Sequence, residues 1–208
     1  DLAFLAPERA VGTPIVFVDR PPRGMHADVV LVDNERGAGD AVRHLVRSGH
    51  RSIACIAHIS GRFTSERRQA GFRRGVRECG LPDRPELIVE VEDEVEACVE
   101  ALRELFSLPD PPTALFTTNS RTTKAVLGAL RLIGARPALV GFDDFELAEL
   151  LSPPVTTIAQ DPAMIGAAAA DLLFDRIAGL AGPERHIVLG TRLITRGSGE
   201  QPPDVAGL

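Results

Sequence analysis

The 208-residue sequence contains no tryptophan, no tyrosine and a single lysine, Lys124. Any aromatic surface that stacks on a base or a sugar must therefore be built from its nine phenylalanines. The formal net charge is −6, so the chain lacks the concentrated positive charge with which proteins hold nucleic acid phosphates. No apolar run approaches the roughly 18–20 residues that span a bilayer, and no signal peptide is recognisable, so we expect no membrane partner.

Catalytic and metal-binding motifs are also missing. The sequence has no GxSxG, HExxH, P-loop or GxGxxG pattern, and its five histidines are not spaced like helical metal ligands. The three cysteines, Cys55, Cys79 and Cys98, are an odd number without CxxC spacing, which is typical of reduced core residues in a cytoplasmic protein. These absences disfavour an enzyme, and we expect neither a metal nor another cofactor.

Short β-branched segments alternate with longer segments of helical periodicity. The predicted strands are Ile15–Val18, Val29–Asp33, Ser52–Ala57, Leu87–Val91, Thr113–Thr117, Ala138–Phe142 and Val155–Ala159. The predicted helices are one that is capped by Asn34 and ends at Gly49, then Thr64–Cys79, Val95–Phe106, Thr122–Ile133 and Pro162–Ala178. Nearly continuous apolar strands that alternate with helices predict a doubly wound α/β fold, with a parallel sheet covered by helices.

Three regions fit this pattern less well. Leu2–Leu5 resembles a strand, but the segment between it and Ile15–Val18 is shorter than the dozen or so residues of a parallel crossover, so we expect an irregular connection or missing chain. The stretch Gly197–Leu208 is rich in Gly and Pro and is expected to be frayed. His50 follows a predicted helix end, where a partly charged imidazole suits the helix dipole.

Polar residues gather just past the predicted strands, where open α/β sheets bind their ligands. These residues are Asp19, His58, Asp93, Asn119, Ser120 and Asp143. For any one of them, a helix cap or a loop anchor is an alternative role. Because the carboxyl ends of parallel strands meet at one edge of a sheet, the set predicts a binding site better than any member does.

Arg68 is the most informative single residue of the sequence. It lies four residues before Phe72 on the apolar stripe of the predicted helix Thr64–Cys79, so its guanidinium must meet a carboxylate, a carbonyl or a ligand. Arg62 and Thr64 precede the same turn. The alternative to a ligand is an internal pair with a carboxylate such as Asp19 or Asp143. Four further arginines fall off the stripe and predict a solvated face: Arg67, Arg73, Arg74 and Arg77.

The order of several motifs resembles the effector-binding core of LacI/GalR-type transcriptional regulators. The matching segments are TPIVFVDR (13–20), VDN (32–34), HLVRSGHRSI (44–53), RQAGF (68–72), PTALF (112–116), VGFDD (140–144), LSPPVTTI (151–158) and QD (160–161). Each segment is weak alone, but their order and spacing across most of the chain are specific.

The resemblance implies a periplasmic-binding-protein-like I fold, two doubly wound parallel-sheet subdomains with a ligand cleft. It assigns residues 1–32 and 161–188 to an incomplete N-terminal subdomain, residues 33–160 and 189–200 to a C-terminal subdomain, and 201–208 to a tail. It also implies that the helix-turn-helix of the family is absent here, so that operator DNA is a partner only through that absent part.

The resemblance further implies effector contacts by Asp19, Arg62, Thr64 and Arg68. Ser120 stands where the family commonly has an acidic residue. We expect a sugar-like or anionic effector, oriented by charge-assisted hydrogen bonds from the two arginines.

In this interpretation Asp93, Asn119 and Asp143 complete the site, and Asp19, Asp93 and Asn119 read hydroxyl groups. Asp93 occupies the position of a stacking aromatic in many relatives, which places stacking against a sugar or a purine in doubt. The effector would bind the closed cleft better than the open one and thereby shift the angle between the subdomains.

The family also implies a homodimer. Leu147, Leu150 and Leu151 are apolar candidates for its surface, with a core role as the alternative. Two rival functions remain open at the level of sequence. A solute-binding protein of a sugar transporter shares the fold and predicts an export signal upstream, whereas a hydrolase or sugar-processing enzyme predicts acid/base or nucleophilic groups in the cleft.

Overall fold

The computed structural model describes residues 2–59 and 63–204. The chain divides into two compact units and passes between them three times. Unit 1 comprises Asp1–Asp33 and Gln160–Thr191, and unit 2 comprises Asn34–Ala159 and Arg192–Leu208. Each unit has its own sheet, so each is described by itself.

Unit 1 contains a parallel three-stranded sheet. The strand order is β1 (Val16–Val18), β2 (Asp28–Val32) and β8 (His186–Leu189), and helix α6 (Pro162–Ile177) packs against β1 and β2. The side chain of Asp161 caps α6 by accepting a hydrogen bond of 3.0 Å from the backbone N–H of Met164. This cap satisfies one of the N–H groups that the first helical turn leaves unpaired.

The prediction of a strand at Leu2–Leu5 is wrong. A 3-10 helix covers Ala3–Leu5, and the short helix α1 follows directly at Ala6–Ala10. Pro7 lies in the first turn of α1, where the missing N–H of proline has no helical partner to lose. A short apolar run does not distinguish a strand from a helix, which is why the pattern misled us.

Unit 2 contains a six-stranded sheet. Its order is β4 (Ile88–Val91), β3 (Ile53–His58), β5 (Ala114–Thr117), β6 (Ala138–Phe142), β7 (Thr156–Ala159) and β9 (Arg192–Ile194). All neighbouring strands are parallel except β9, which runs antiparallel to β7. The sequence predicted the first five of these strands to within one residue at each end, but it missed β9 here and β8 in unit 1.

Two pairs of helices cover the two faces of this sheet. Helices α2 (Asn34–Arg47) and α3 (Phe63–Glu78) pack on one face, with Phe116 and other alternate strand residues between them. Helices α4 (Val95–Phe106) and α5 (Ser120–Ile133) pack on the other face. Successive residues of a strand point to opposite faces, so both faces of the strands are apolar and the doubly wound α/β fold is confirmed.

Helices α2 and α3 approach each other closely because glycines line their contact. A Cβ at Gly71 would overlap the backbone of Glu35, and a Cβ at Gly75 would lie 3.1 Å from the Cα of Gly39. This close packing brings the first turn of α2 beside α3, and with it the side chain of Asn34 to Arg68.

The segment after β9 is packed in part, so the expectation that Gly197–Leu208 is frayed is wrong for its first residues. The buried Ser198 hydroxyl donates to the carbonyl of Leu139 at 2.6 Å and accepts from the N–H of Thr156 at 2.9 Å. Residues 205–208 lie outside the described part of the chain.

The ring of His50 is fully buried between Thr113 and this C-terminal segment. Its Nδ1 lies 2.9 Å from the Thr113 hydroxyl and its Nε2 lies 2.9 Å from the carbonyl oxygen of Gln201. Burial lowers the pKa of His50, so the prediction of a partly charged imidazole is wrong.

The cysteines are all free thiols, with Cys55 and Cys98 buried and Cys79 half-buried. Burial raises the pKa of the Cys98 thiol to about 11. Within residues 2–59 and 63–204, no helix is both long and apolar enough to cross a membrane. The same ranges hold no group of three or more His, Cys, Asp or Glu side chains arranged for a metal ion.

Candidate functional site

The carboxyl ends of the parallel strands β4, β3, β5 and β6 form one edge of the sheet in unit 2, called here the carboxyl edge. Helices α3 and α5 begin at this edge, directly after β3 and β5. The polar residues that lie there include six of the residues singled out from the sequence: His58, Arg68, Asp93, Asn119, Ser120 and Asp143.

Arg68 is held at this edge by three hydrogen bonds. Its Nε donates to Oδ1 of Asn34 at 2.7 Å, and its Nη1 donates to the carbonyl of Thr118 at 2.7 Å and to Oδ2 of Asp143 at 2.9 Å. The guanidinium carbon lies 3.8 Å from the centroid of the Phe142 ring. Arg68 is 3% exposed, and its charge is compensated by the Asp143 carboxylate.

The internal pair with Asp143 is therefore present, but it does not use the whole guanidinium. Among residues 2–59 and 63–204, Nη2 of Arg68 has no hydrogen-bond acceptor. In the same part of the chain the hydroxyl of Thr118, a residue that is 1% exposed, also has no partner. A buried polar group without a partner costs free energy, so the Thr118 hydroxyl favours a ligand or water at this edge, and Nη2 of Arg68 is a further donor for it.

Asp143 and Asp144 follow β6 and turn in different directions, as adjacent residues must. Asp143 has a left-handed backbone, with a φ of 69°, and its N–H donates to the carbonyl of Ile158 at 2.9 Å. Both oxygens of Asp144 accept from Arg196 at 2.8 Å, and these bonds lower the pKa of Asp144. Asp143, whose side chain is 25% exposed, is the carboxylate of the two that is turned toward Arg68.

Asp93 is engaged with protein groups on both oxygens. Its Oδ1 accepts from the hydroxyl of Thr122 at 2.6 Å, and its Oδ2 lies 3.3 Å from Nδ1 of His58 and 3.5 Å from Nε of Arg121. The Asp93 side chain is 5% exposed. This carboxylate, predicted to read ligand hydroxyls, therefore contacts His58 and the first turn of α5.

The other predicted residues have mainly local roles in the structure. Asn119 caps α5, since its Oδ1 accepts from the N–H groups of Arg121 and Thr122 at 2.8 and 2.9 Å. Ser120 and Thr64 are half-buried first-turn residues of α5 and α3. The side-chain cap of Asn119 is the alternative role that the sequence had left open for strand-exit residues.

The parts of Asp19 and Arg62 in a site stay predictions. Asp19 follows β1 in unit 1, where its backbone φ is 69° and its N–H donates to the carbonyl of Val30 at 3.0 Å. Arg62 lies outside the described residues. The arginines expected on a solvated face behave as predicted: Arg67 and Arg74 are partly exposed and pair with Glu35.

Sequence reasoning missed the residues that hold Arg68 and Asp93. Asn34 was assigned only a capping role, although its position in the first turn of α2 places it beside α3. Thr118 and Thr122 carried no signal, because threonine is common both after strands and in the first turn of a helix. Phe142 was predicted to lie in a strand, but the contact of its ring with a guanidinium cannot be read from spacing.

Comparison with known proteins identifies the family of this chain. Residues 42–199 match the family described as periplasmic binding protein-like domain. The chain is 29% identical over 195 residues to an HTH-type transcriptional repressor PurR from Aliivibrio salmonicida, covering 92% of this chain and 59% of that protein. It is 32% identical over 185 residues to the HTH-type transcriptional repressor CytR from Escherichia coli K12, covering 87% of this chain and 53% of that repressor.

A solved structure extends the comparison to three dimensions. The crystal structure of a LacI family transcriptional regulator from Enterococcus faecalis V583 with bound ribose matches with a TM-score of 0.81 and 25% identity, over 97% of this chain and 73% of that chain. The chain spans less than two thirds of the length of the PurR and CytR repressors. The chain therefore belongs to the LacI/GalR family of transcriptional regulators, and it corresponds to their periplasmic-binding-protein-like, effector-binding core.

Proposed function

We propose that this core binds a small polar effector, a sugar or a related metabolite, at the carboxyl edge of unit 2 and that Arg68 anchors it. The observation that carries the proposal is the buried guanidinium, fixed on three sides by Asn34, Thr118 and Asp143, with Nη2 left without a protein acceptor among the described residues. A preorganised donor of this kind binds a hydroxyl or carboxylate oxygen with little loss of side-chain entropy.

The proposed contact set keeps the residues predicted from the sequence. They are Asp19, Arg62, Thr64, Arg68, Asp93, Asn119, Ser120 and Asp143. Arg68 and Asp143 have the strongest support, because they form one ion pair with the carboxylate still partly exposed. The unpartnered hydroxyl of Thr118 adds a further polar group that a ligand can satisfy.

For the whole protein we propose regulation of transcription by effector binding without turnover. In the whole protein this core would bind the effector. A helix-turn-helix, which the described chain does not contain, would bind the operator DNA. A ligand shifts a conformational equilibrium only by its difference in affinity for two states, so the closed cleft expected from the family must bind the effector better. The repressor names of the relatives favour this regulator over a transport protein.

We also propose that the core forms a homodimer through the surface of Leu147, Leu150 and Leu151. These leucines are exposed, with Leu150 at 75%, which supports an interface over a core role. Leu151 also helps to line a pocket of about 620 Å³ in unit 2, together with Leu127. Analytical ultracentrifugation of Leu150→Asp should shift dimer to monomer, whereas Leu132→Asp, at an equally exposed leucine of α5, should not.

The effector proposal is tested by thermal unfolding of the chain with a panel of neutral sugars that includes D-ribose. A ligand that binds only the native state raises the apparent stability, by about 2.7 kcal/mol when its concentration is 100 times Kd. The wild-type chain should gain stability with at least one sugar, and Arg68→Ala should lose that gain. Arg67→Ala, which removes the exposed neighbouring arginine, should keep it.

Arg68→Ala also leaves Asp143 without its partner, so its intrinsic stability will fall. Arg68→Lys preserves the charge while removing the fork of donors and serves as the second variant. Loss of the ligand-induced gain in both variants supports the proposal. An unchanged gain in either folded variant, or no gain for the wild type with any sugar, would contradict it.

A further inference from the structure

A directed chain of polar contacts runs from the N-cap of α5 to His58. Because Oδ1 of Asn119 accepts two backbone N–H groups, its Nδ2 is free to donate, and it does so to the hydroxyl of Thr122 at 2.9 Å. That hydroxyl then gives its own proton to Oδ1 of Asp93 at 2.6 Å. The direction of each bond is thus set, and Asp93 acts as an acceptor at the end of the chain.

The second oxygen of Asp93 faces the imidazole of His58. Oδ2 lies 3.3 Å from Nδ1 of His58, an ion-pair contact that lacks the geometry of a hydrogen bond. A carboxylate charge at this distance favours a proton over a lone pair on the ring nitrogen that faces it. In the neutral imidazole the other nitrogen, Nε2, then carries the lone pair. The buried Asp93 carboxylate therefore selects the tautomer in which Nε2 is a hydrogen-bond acceptor.

The backbone of His58 is equally well fixed. His58 is the last residue of β3 and pairs with Val91 of β4, while the hydroxyl of Ser65 in the first turn of α3 lies 3.5 Å from its carbonyl. The side chain is 12% exposed, and its buried Nδ1 has the 3.3 Å contact with Asp93 but no hydrogen bond. Within the described residues no hydrogen bond reaches Nε2. The backbone pairing thus places the imidazole of His58 at the carboxyl edge of unit 2, with Nε2 available as an acceptor.

We propose that His58 is a ligand-binding residue of this core, whose Nε2 accepts a hydrogen bond from the effector, and that Asp93 is the positioning residue behind it. This inference rests on the proposed effector site. It changes the role expected for Asp93, which acts through His58 and does not read a hydroxyl itself.

The proposal narrows the chemistry of the effector. Nη2 of Arg68 donates hydrogen bonds, whereas Nε2 of His58 accepts one. The two residues together therefore select an effector with one group that accepts from Arg68 and another that donates to His58. A sugar hydroxyl does both. A phosphate ester or a carboxylate only accepts at neutral pH, and such a group facing Nε2 would be repelled by its lone pair. The neutral polyol is therefore favoured over the anionic metabolite.

Binding of small ligands at pH 8 tests the contact with His58. The probes are the neutral sugars of the panel, D-ribose included, and the corresponding phosphates such as ribose 5-phosphate. In His58→Asn the short amide can take the place of Nδ1, but it leaves no acceptor at the position of Nε2. In His58→Gln the longer side chain can bring its carbonyl oxygen, an acceptor, to the position of Nε2. His58→Asn should weaken sugar binding about tenfold or more, and His58→Gln by less.

His26→Asn, at an exposed histidine of unit 1, is the matched control and should leave the affinity unchanged. The inference is wrong if His58→Asn binds the sugar as tightly as the wild type. If Arg68→Lys binds the sugar more weakly in the same experiment, the proposed effector site itself is still supported. The inference is also wrong if only the phosphate esters bind. If no probe binds the wild type, the proposed effector site fails together with the inference.

The role of Asp93 has a spectroscopic test that a general loss of stability does not mimic. The ¹⁵N chemical shifts of His58 at pH 8 should report a proton on Nδ1 and a lone pair on Nε2. In Asp93→Asn, whose amide can present a donor to the ring, the proton should move to Nε2 and sugar affinity should fall. A wild-type ring with its proton on Nε2, or an unchanged tautomer in Asp93→Asn, would overturn the assignment.

Discussion

Replacement of Asp28 by asparagine tests how unit 1 is held together. Asp28 begins β2, and its buried carboxylate receives hydrogen bonds from Nε and Nη2 of Arg176 at 2.8 and 2.9 Å and from the N–H of Arg185 at 2.7 Å. Arg176 also donates to the carbonyls of Leu180, Gly182 and Pro183 after α6. One ion pair thus joins the sheet, α6 and the turn that leads into β8.

The size of the effect follows from the pKa of Asp28. The hydrogen bonds from Arg176, with a smaller contribution from the Arg185 backbone, lower the pKa of Asp28 from 3.8 to about 2, against the opposing effect of burial. At about 1.4 kcal/mol per unit, the charged form contributes about 2 kcal/mol to stability at pH 7. Because the pKa is lower in the folded state, this contribution is complete above pH 3.8 and disappears as the pH falls toward 2.

Asp28→Asn should therefore lower the free energy of unfolding of unit 1 at pH 7 by about 2 kcal/mol, or its Tm by about 5 °C. Hydrogen exchange of the β2 and β8 amides, measured with urea unfolding, would locate the loss in unit 1. The control is Asp175→Asn, at a half-exposed carboxylate that pairs with Arg185, which should cost less than 1 kcal/mol. A loss below 0.5 kcal/mol at pH 7, or an equal loss at pH 2.5, would refute the reasoning.

Two further predictions concern unit 2. Burial lowers the pKa of His50, so protonation of the unfolded chain reduces the stability of the fold as the pH falls below the ordinary histidine value of 6.5. Urea unfolding between pH 7.5 and 5.5 should therefore show a steeper loss of stability for the wild type than for His50→Gln. The control His26→Gln, at an exposed histidine, should match the wild type. Gly71→Ala should destabilise by about 1–3 kcal/mol, since the new methyl group meets the backbone of α2, whereas Gly166→Ala has open space and should be neutral or stabilising in the same thermal assay.

The parts of the fold that the sequence predicted are those in which local pattern and packing agree. The strands of the central sheet are apolar on both faces, and the stripe of α3 runs through Arg68 to Phe72, so periodicity located both. Strands β8 and β9 were missed because they are short edge strands without a fully buried residue. The segment around Ser198 was misjudged because a Gly- and Pro-rich composition does not reveal two backbone hydrogen bonds to one hydroxyl.

The candidate site was predicted as a set of strand-exit residues, but not as a network. His58 and Asp93 were both recognised by position, yet their contact depends on the pairing of β3 with β4, which spacing does not specify. In the same way Arg68 was assigned an inward direction, and the possibility of a pair with Asp143 was stated. The roles of Asn34 and Thr122 depend on how two helices begin beside other elements, which is information that only the assembled structure contains.

A crystal structure would show whether an effector binds the unused side of the Arg68 guanidinium at the carboxyl edge of unit 2. The chain would be crystallised with D-ribose or with the sugar that raises Tm most. We expect a sugar oxygen within about 3.2 Å of Nη2 of Arg68. A sugar bound elsewhere, with Nη2 still without a ligand acceptor, would contradict this expectation.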